Sequence, residues 1–446
     1  MEALLREYNP HWQGPFQYDL IAREDYRLQL MPLIERKEIV VMKGIRRSGK
    51  SSLMRLAINA LLQKGVKATD ILFINLEDYR LGSEKSVDTL DEIYQSYFQL
   101  HKPAGRFYVL MDEIQEITDF ERWLRTHYDH NEAVKFIVTG SSSSLFSNEL
   151  ATLLTGRQIS LEVFPFSFSE TLQHRQKTLH KGAVKKAIDT LFLSKGSDKI
   201  EACLADYLRF GGFPEVVKNQ DAGSNALLLQ QYISDIILRD VARRHNVRKI
   251  QMLQDLAIFL LHNVANPLNI SRLAEILGSN RNTVLDLIAY LEEVYLIFLG
   301  GSFSFSLEER LSSTRARKVF CIDNGFFSAV HQGGDKADYQ RVCNAVFQQL
   351  RFAWQEEVFY WKNKVEIDFV LKDGLAIGVS QSDHLEVQER EIFRMFHYLH
   401  THNQPLGLMI SKNRLQIHEE NQRRVMVMPL WIFLLKSREE ILTYEA

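Results

Sequence analysis

The chain has 446 residues, 54 Lys and Arg against 56 Asp and Glu, 46% hydrophobic and 25% charged. That balance belongs to a folded globular protein and excludes a disordered or fibrous one. A net charge of −2 provides no global field for nucleic acid or an anionic membrane, so binding of either kind needs a local patch. The length predicts about three domains. Cys203, Cys321 and Cys343 are widely separated and form no CxxC pair, which points to a reducing cytoplasm with neither a disulfide framework nor a zinc site. The start, MEALLREYNPHW, lacks a signal-peptide pattern, and the longest apolar run, Val425 to Leu435, is too short to span a bilayer. No membrane association is expected.

The first clear element is the β-branched run 38–43, followed by a glycine-containing turn and an amphipathic helix from Lys50 to Lys64 with Gly65 as its stop. Further strands are predicted at 71–77, 107–113, 135–140 and 159–164, with helices at about 86–100 and 120–129. Near-continuous apolar strands alternating with helices indicate a parallel sheet covered on both faces. Pro165 ends the last strand, and Ser167 with Glu170 reads as a capping box opening a mainly helical region to about residue 255, interrupted at Gly211, Gly212 and Pro214. Residues 256–322 follow the order of a winged helix-turn-helix, and the last 120 or so residues read as α/β again.

The string GIRRSGKSS fits the phosphate-loop pattern G-x-x-x-x-G-K-[ST]. Glycines let backbone N–H groups turn toward phosphates, the helix N-terminus adds its dipole, Lys50 reaches the β and γ phosphates, and Ser51 ligates magnesium. Gly44, Arg47, Ser48, Gly49, Lys50, Ser51 and Ser52 are therefore the nucleotide-binding candidates. Arg46 and Arg47 are read equally as phosphate or partner contacts and as solvated loop charges. Asp112 and Glu113 end an apolar strand at the edge where the loop lies. Asp112 is the candidate magnesium ligand and Glu113 the residue that orients or activates water; the alternative is an acidic pair capping the next helix.

Together GIRRSGKSS, DEIQ at 112–115, FIVTGSSSSL, ELATLLTGR and LRFGGFPEVV resemble the motifs of a prokaryotic family of AAA-type P-loop ATPases with a C-terminal restriction-endonuclease-like domain of unknown function. The resemblance runs from about residue 20 to the C-terminus. It implies an α/β protein that uses ATP and Mg2+, with an ATPase domain at 1–166, a helical lid at 167–255, a winged helix at 256–322 and a nuclease-like domain at 323–446. It also implies a homo-oligomeric ring as the default assembly. By the same resemblance, Thr139 or Ser141 stands at a sensor position, against a plain Ser-rich turn. Arg157 corresponds to an arginine that reaches phosphate in cis or from a neighbouring subunit, against a surface salt bridge.

The candidate recognition helix, Arg281 to Val294, is poor in cations: residues 264–300 hold two Arg and four acidic residues. Asn280, Arg281, Asn282 and Thr283 at its start are placed to read bases, and Arg310, Arg315, Arg317 and Lys318 in the wing form the better footprint for duplex DNA. A protein-packing winged helix is the equal alternative. In the C-terminal domain a nuclease needs several acidic metal ligands and a lysine. Asp368 fits one position, but Cys343, Gly378 and Ser380 stand where the others are expected, so the domain is predicted to be catalytically dead, with Glu366 and Asp368 as remnants. His397, His400 and His402 do not share one helix face well and are read as an exposed helix end. The expected function is an ATPase whose nucleotide state controls a DNA-binding module; the alternative is a nucleotide-gated signalling or assembly protein without DNA binding.

Overall fold

The computed structural model describes residues 1–143, 154–175, 197–219, 221–306, 316–331, 335–380 and 385–443. It divides into two compact units, Met1–Phe164 and Pro165–Ala446.

The first unit is built on five parallel strands in the order β2-β3-β4-β1-β5. These are β1 (Ile39–Lys43), β2 (Ile71–Asn75), β3 (Phe107–Asp112), β4 (Val134–Gly140) and β5 (Gln158–Glu162). Every residue of β3 and β4 is buried, as expected of central strands covered on both faces. Helices α1 (Glu2–Tyr8), α2 (Glu24–Glu35), α3 (Lys50–Gln63), α4 (Val87–His101) and α5 (Phe120–His130) accompany the sheet. One core joins Leu4, Leu5, Ile93 and Trp123 to Val41, Val109 and Val138; the other joins Ile34, Met54, Ile58 and Leu61 to Val40, Leu110 and Ile137. The alternation of these strand residues between two cores shows a sheet with both faces packed. α3 ends as the sequence predicts: Gly65, at φ 85°, follows its cap, and the Gly65 and Val66 amides return to the carbonyls of Leu62 and Leu61.

The second unit opens with helices α6 (Phe168–Arg175), α7 (Ser197–Phe210), α8 (Pro214–Lys218) and α9 (Ala222–Asp235), the last running into a π-helical stretch, Ile236–Ala242. Ser167 and Glu170 form the reciprocal capping box: the Glu170 amide donates to Ser167 Oγ (3.2 Å) and the Ser167 amide to Glu170 Oε2 (2.9 Å). Then come α10 (Ile250–His262), β6 (Pro267–Leu268), α11 (Ile270–Ile276), α12 (Arg281–Glu293), β7 (Ile297–Ser302) and β8 (Arg317–Cys321). The hairpin does not stand free. β7 pairs with β8 through residues 297–300 and continues, through Gly301 and Ser302, into a parallel pairing with β9 (Val358–Lys362).

The hairpin thereby belongs to a nine-stranded mixed sheet, β13-β14-β12-β11-β10-β9-β7-β8-β6, with β10 (Glu366–Leu371), β11 (Ala376–Val379), β12 (Leu406–Ser411), β13 (Gln416–Glu420) and β14 (Arg423–Pro429). Helices α13 (Asn324–Val330), α14 (Asp335–Gln348), α15 (Leu385–Thr401), α16 (Leu430–Leu435) and α17 (Arg438–Leu442) complete the unit. The GGFPE string is a packing junction. A Cβ on Gly211 would meet Asp323 Oδ1 at 1.6 Å, and one on Gly212 would meet the Phe166 carbonyl oxygen at 2.0 Å. Asp323 accepts the amides of Gly212 (2.7 Å) and Gly325 (2.8 Å), tying the end of α7 to the start of α13.

Candidate functional site

β1 ends at Lys43 and the loop turns directly into α3, whose first residue is Lys50. Gly44 lies against the neighbouring strand exit, where a Cβ would stand 2.1 Å from the Val163 carbonyl oxygen. Gly49 takes a left-handed conformation, φ 98°, and caps α3 without any side-chain hydrogen bond to its first turn. Arg47 is also left-handed, at φ 67°. Lys50 is buried, its Nζ donating to the carbonyls of Gly44 (2.9 Å) and Ile45 (3.1 Å). Ser48 is buried with an unpartnered Oγ. Such a loop fits a phosphate chain: uncapped helix amides, a lysine over the turn, and an orphaned hydroxyl inside it.

β3 carries Asp112 and Glu113 to the same sheet edge. Asp112 is hydrogen-bonded to the side chains of Ser51 and Thr139, and Lys50 adds its charge. Burial, and next the Glu113 charge, hold its carboxyl above the ordinary range, while these partners pull it back. Glu113 adopts φ 56°, an uncommon conformation for a residue with a side chain. Its amide donates to Thr139 Oγ1 (2.9 Å), and its Oε2 accepts from Gln115. Thr139 thus bonds both acidic residues at once. Ser141 is buried nearby, its Oγ 3.5 Å from Gln115 Nε2. Hydroxyl and carboxylate oxygens side by side at Ser51 and Asp112 are the donor set a magnesium ion prefers, so these residues fit that ion.

Arg157 is not brought to this group. The carbonyl of Arg157 accepts from Ile39, and Gln158 pairs with Ile39, so Arg157 lies at the amino edge of the sheet. The loop begins at the opposite end of β1, about 16 Å along a strand of five residues. The Arg157 guanidinium pairs instead with Asp129, its Nε at 2.8 Å.

One contributor, Arg23, had no role in the sequence reading. Arg23 is buried, donating to the Ser48 carbonyl (3.1 Å) in the loop and to the Phe164 carbonyl (2.9 Å) at the end of the unit, with its guanidinium 4.2 Å from the Tyr26 ring centre. Nothing in IAREDY marks an arginine that folds inward. Arg46 pairs with Glu77 at 3.1 Å, just beyond β2.

In the second unit, Arg310 and Arg315 lie outside the described residues. Arg317 is exposed, but Lys318 is buried and forms an ion pair with Glu366 (2.9 Å), so it does not belong to a surface footprint for DNA. Asn280 accepts the Thr283 amide at its side-chain oxygen (2.8 Å) as the cap of α12. Gly378 and Ser380 also need correction. The face of β11 that shares a core with Phe369 carries Ile377 and Val379, while a Cβ on Gly378 would meet Met409 and Met395 in the opposite core. The residues at the expected acidic and lysine positions are thus apolar. His402 packs on the rings of Trp361 and Tyr398, while His397 and His400 are exposed.

Residues 36–172 match a family model described as an AAA domain. Over this stretch the chain is similar to AAA-type P-loop domains. Residues 202–337 match a domain of unknown function. An uncharacterized protein of Methanocaldococcus jannaschii is 29% identical over 362 residues, covering 79% of this chain and 75% of the relative. One of Haemophilus influenzae is 29% identical over 364 residues, covering 79% and 84%. Among solved structures, the Aeropyrum pernix ORC1 protein in complex with DNA is similar at a TM-score of 0.32 and 14% identity, over 70% of this chain and 93% of that one. AMPPCP-bound DnaA from Aquifex aeolicus is similar at 0.26 and 15%, over 65% and 92%. At these scores neither likeness bears on function. Among the described residues no helix is long and apolar enough to cross a membrane.

Proposed function

We propose that the first unit binds ATP with magnesium and hydrolyses it. The observation that carries this reading is the convergence of Lys50, Ser51, Asp112 and Thr139 at one sheet edge, with Glu113 next in the chain. Gly44, Arg47, Ser48, Gly49 and Ser52 line the phosphates, and Lys50 exchanges its two loop carbonyls for β and γ phosphate oxygens. Ser51 and Asp112 would hold magnesium, which supplies charge neutralisation on the phosphates when bound. Glu113 orients the attacking water and accepts its proton, while Thr139 holds the Asp112 carboxylate and the Glu113 backbone amide. Arg157, at the far edge, serves a neighbouring copy in this reading.

The test is ATP binding and turnover by wild type, Lys50→Ala and Glu113→Gln, with mass measured in solution. Lys50→Ala is expected to lose nucleotide affinity. Glu113→Gln should keep it and lose about 10²–10⁴ in turnover, the range for a general base. Unchanged turnover in Glu113→Gln removes that residue from the mechanism.

The nucleotide state is read out by the second unit, through DNA or through protein. Exposed Arg272, Arg281, Asn282 and Arg317 support a duplex contact. The buried Lys318, together with Ile276 at 60% and Leu285 at 40% exposure on the two helices of the helix-turn-helix, favours protein contact. Three arginines on phosphates would give log K against log salt a slope of about −2.7. Absence of duplex binding at low salt leaves the protein reading.

A further inference from the structure

The acidic face of the C-terminal sheet is where the resemblance to nucleases would place a divalent cation. Its residues do not fit one. Asp368, on β10, already uses both carboxylate oxygens: Oδ1 accepts from the Tyr339 hydroxyl (2.6 Å) and Oδ2 from the Val379 amide (2.9 Å). The second carboxylate, Glu366, accepts from Lys318 Nζ at 2.9 Å and from Lys362 Nζ at 2.9 Å. Lys318 reaches in from β8, and its ammonium also lies 4.0 Å from Asp368 Oδ1 and 5.1 Å from the centre of the Tyr360 ring. Cys343, beside Tyr339 and Asp368, is a buried thiol whose acidity burial suppresses. Among the described residues no group of three His, Cys, Asp or Glu is placed to hold a metal ion.

We propose that the Lys318 ammonium occupies the position at which Glu366 and Asp368 would hold a divalent cation, and that removing it uncovers a metal site in the second unit. The physical case is charge balance. The Asp368 carboxyl is largely buried and Glu366 partly exposed, and one ammonium lies within 4.0 Å of both; a buried carboxylate persists only with a compensating cation. A divalent ion with oxygen ligands and the ammonium of a buried lysine meet that need in the same place, and here the lysine is covalently supplied. β8 is paired on both sides, with β6 and with β7, which fixes the backbone that carries Lys318. An ammonium compensates charge but cannot polarise a phosphoryl oxygen or lower the pKa of a bound water as a metal does.

Terbium luminescence tests this, because Tb3+ takes hard oxygen ligands and is sensitised by nearby aromatic rings such as Tyr360. Nucleotide-free full-length wild type, Lys318→Ala and Lys318→Met are titrated with TbCl3, each with and without Asp368→Asn. The expected result is saturable emission in the Lys318 variants, about tenfold or more above wild type, displaced by excess Mn2+ and lost on Asp368→Asn. The Asp368 control separates this signal from any terbium held by Asp112 and Glu113. Emission from wild type that depends on Asp368 overturns the proposal, as does its absence from a folded Lys318 variant. Should neither variant fold alone, refolding in Mn2+ is expected to restore it, and failure to do so counts against the proposal equally.

Discussion

Asp323 makes the fold of the second unit sensitive to pH. Its carboxyl is buried and pushed up to about 7 by desolvation, against the ordinary 3.8, although the Gly212 and Gly325 amides favour its ionised form. The folded chain therefore holds this proton more tightly than the unfolded one. The stability so contributed is fully present below about pH 4 and is lost as pH rises through 7. At about 1.36 kcal/mol per pKa unit, the shift is worth roughly 4 kcal/mol at most, and about 2–3 kcal/mol of it falls between pH 5 and 7. Asp323→Asn cannot ionise and keeps one acceptor, so it resembles the protonated wild type. Urea unfolding of both proteins, followed by hydrogen exchange in peptides spanning 200–217, reads the second unit alone. Wild type should lose about 2–3 kcal/mol relative to Asp323→Asn between pH 5 and 7, and the two should run parallel above about pH 8. A difference that stays constant from pH 5 to 8 would refute the reasoning, since it would mean that the proton is held equally in both states.

Thr139→Val removes the hydroxyl that bonds Asp112 and receives the Glu113 amide. Leaving that buried amide unpaired costs about 1–3 kcal/mol, so turnover should fall by about 5- to 150-fold while ATP affinity changes little; single-turnover kinetics beside equilibrium binding would distinguish this from a purely structural loss. Gly44→Ala puts a methyl 2.1 Å from the carbonyl oxygen of Val163, a residue held by its amide's hydrogen bond to the Lys43 carbonyl (2.7 Å). Overpacking of about 1–3 kcal/mol is expected, with weakened binding of a fluorescent ATP analogue; unaltered affinity would mean that the loop accommodates the methyl.

The parallel sheet and phosphate loop were legible because their signals are local. Fully buried strands write themselves as unbroken apolar runs, and a phosphate loop is one contiguous string. Arg23 and Lys318 were not legible, because a buried arginine or lysine looks like a solvated one until its partners are known. The partners of Arg23 lie at Ser48 and Phe164, and those of Lys318 at Glu366 and Asp368. The face assigned to Gly378 and Ser380 failed for a related reason. β10 carries an irregularity in register between Ile367 and Val370, so counting alternate residues from Asp368 does not carry across to β11. The distance of Arg157 from the loop followed only once the parallel register of β1 and β5 placed it at the amino edge.

The segment Val163–Phe166 joins these local facts into one constraint. Its first residue donates to the Lys43 carbonyl (2.7 Å), immediately before the phosphate loop, and lies under Gly44. Phe164 is held by Arg23, the same side chain that holds Ser48 within the loop. Two residues on, the Phe166 amide donates to the Gly212 carbonyl (2.7 Å), and Gly212 approaches Phe166 as closely as Gly44 approaches Val163. Each end of the connector is therefore gripped by backbone that tolerates no side chain, with Pro165 stiffening the step between. Packed contacts of this kind shift discretely and do not stretch. A phosphate loop that moved on binding nucleotide would displace Val163 and Phe164 with it.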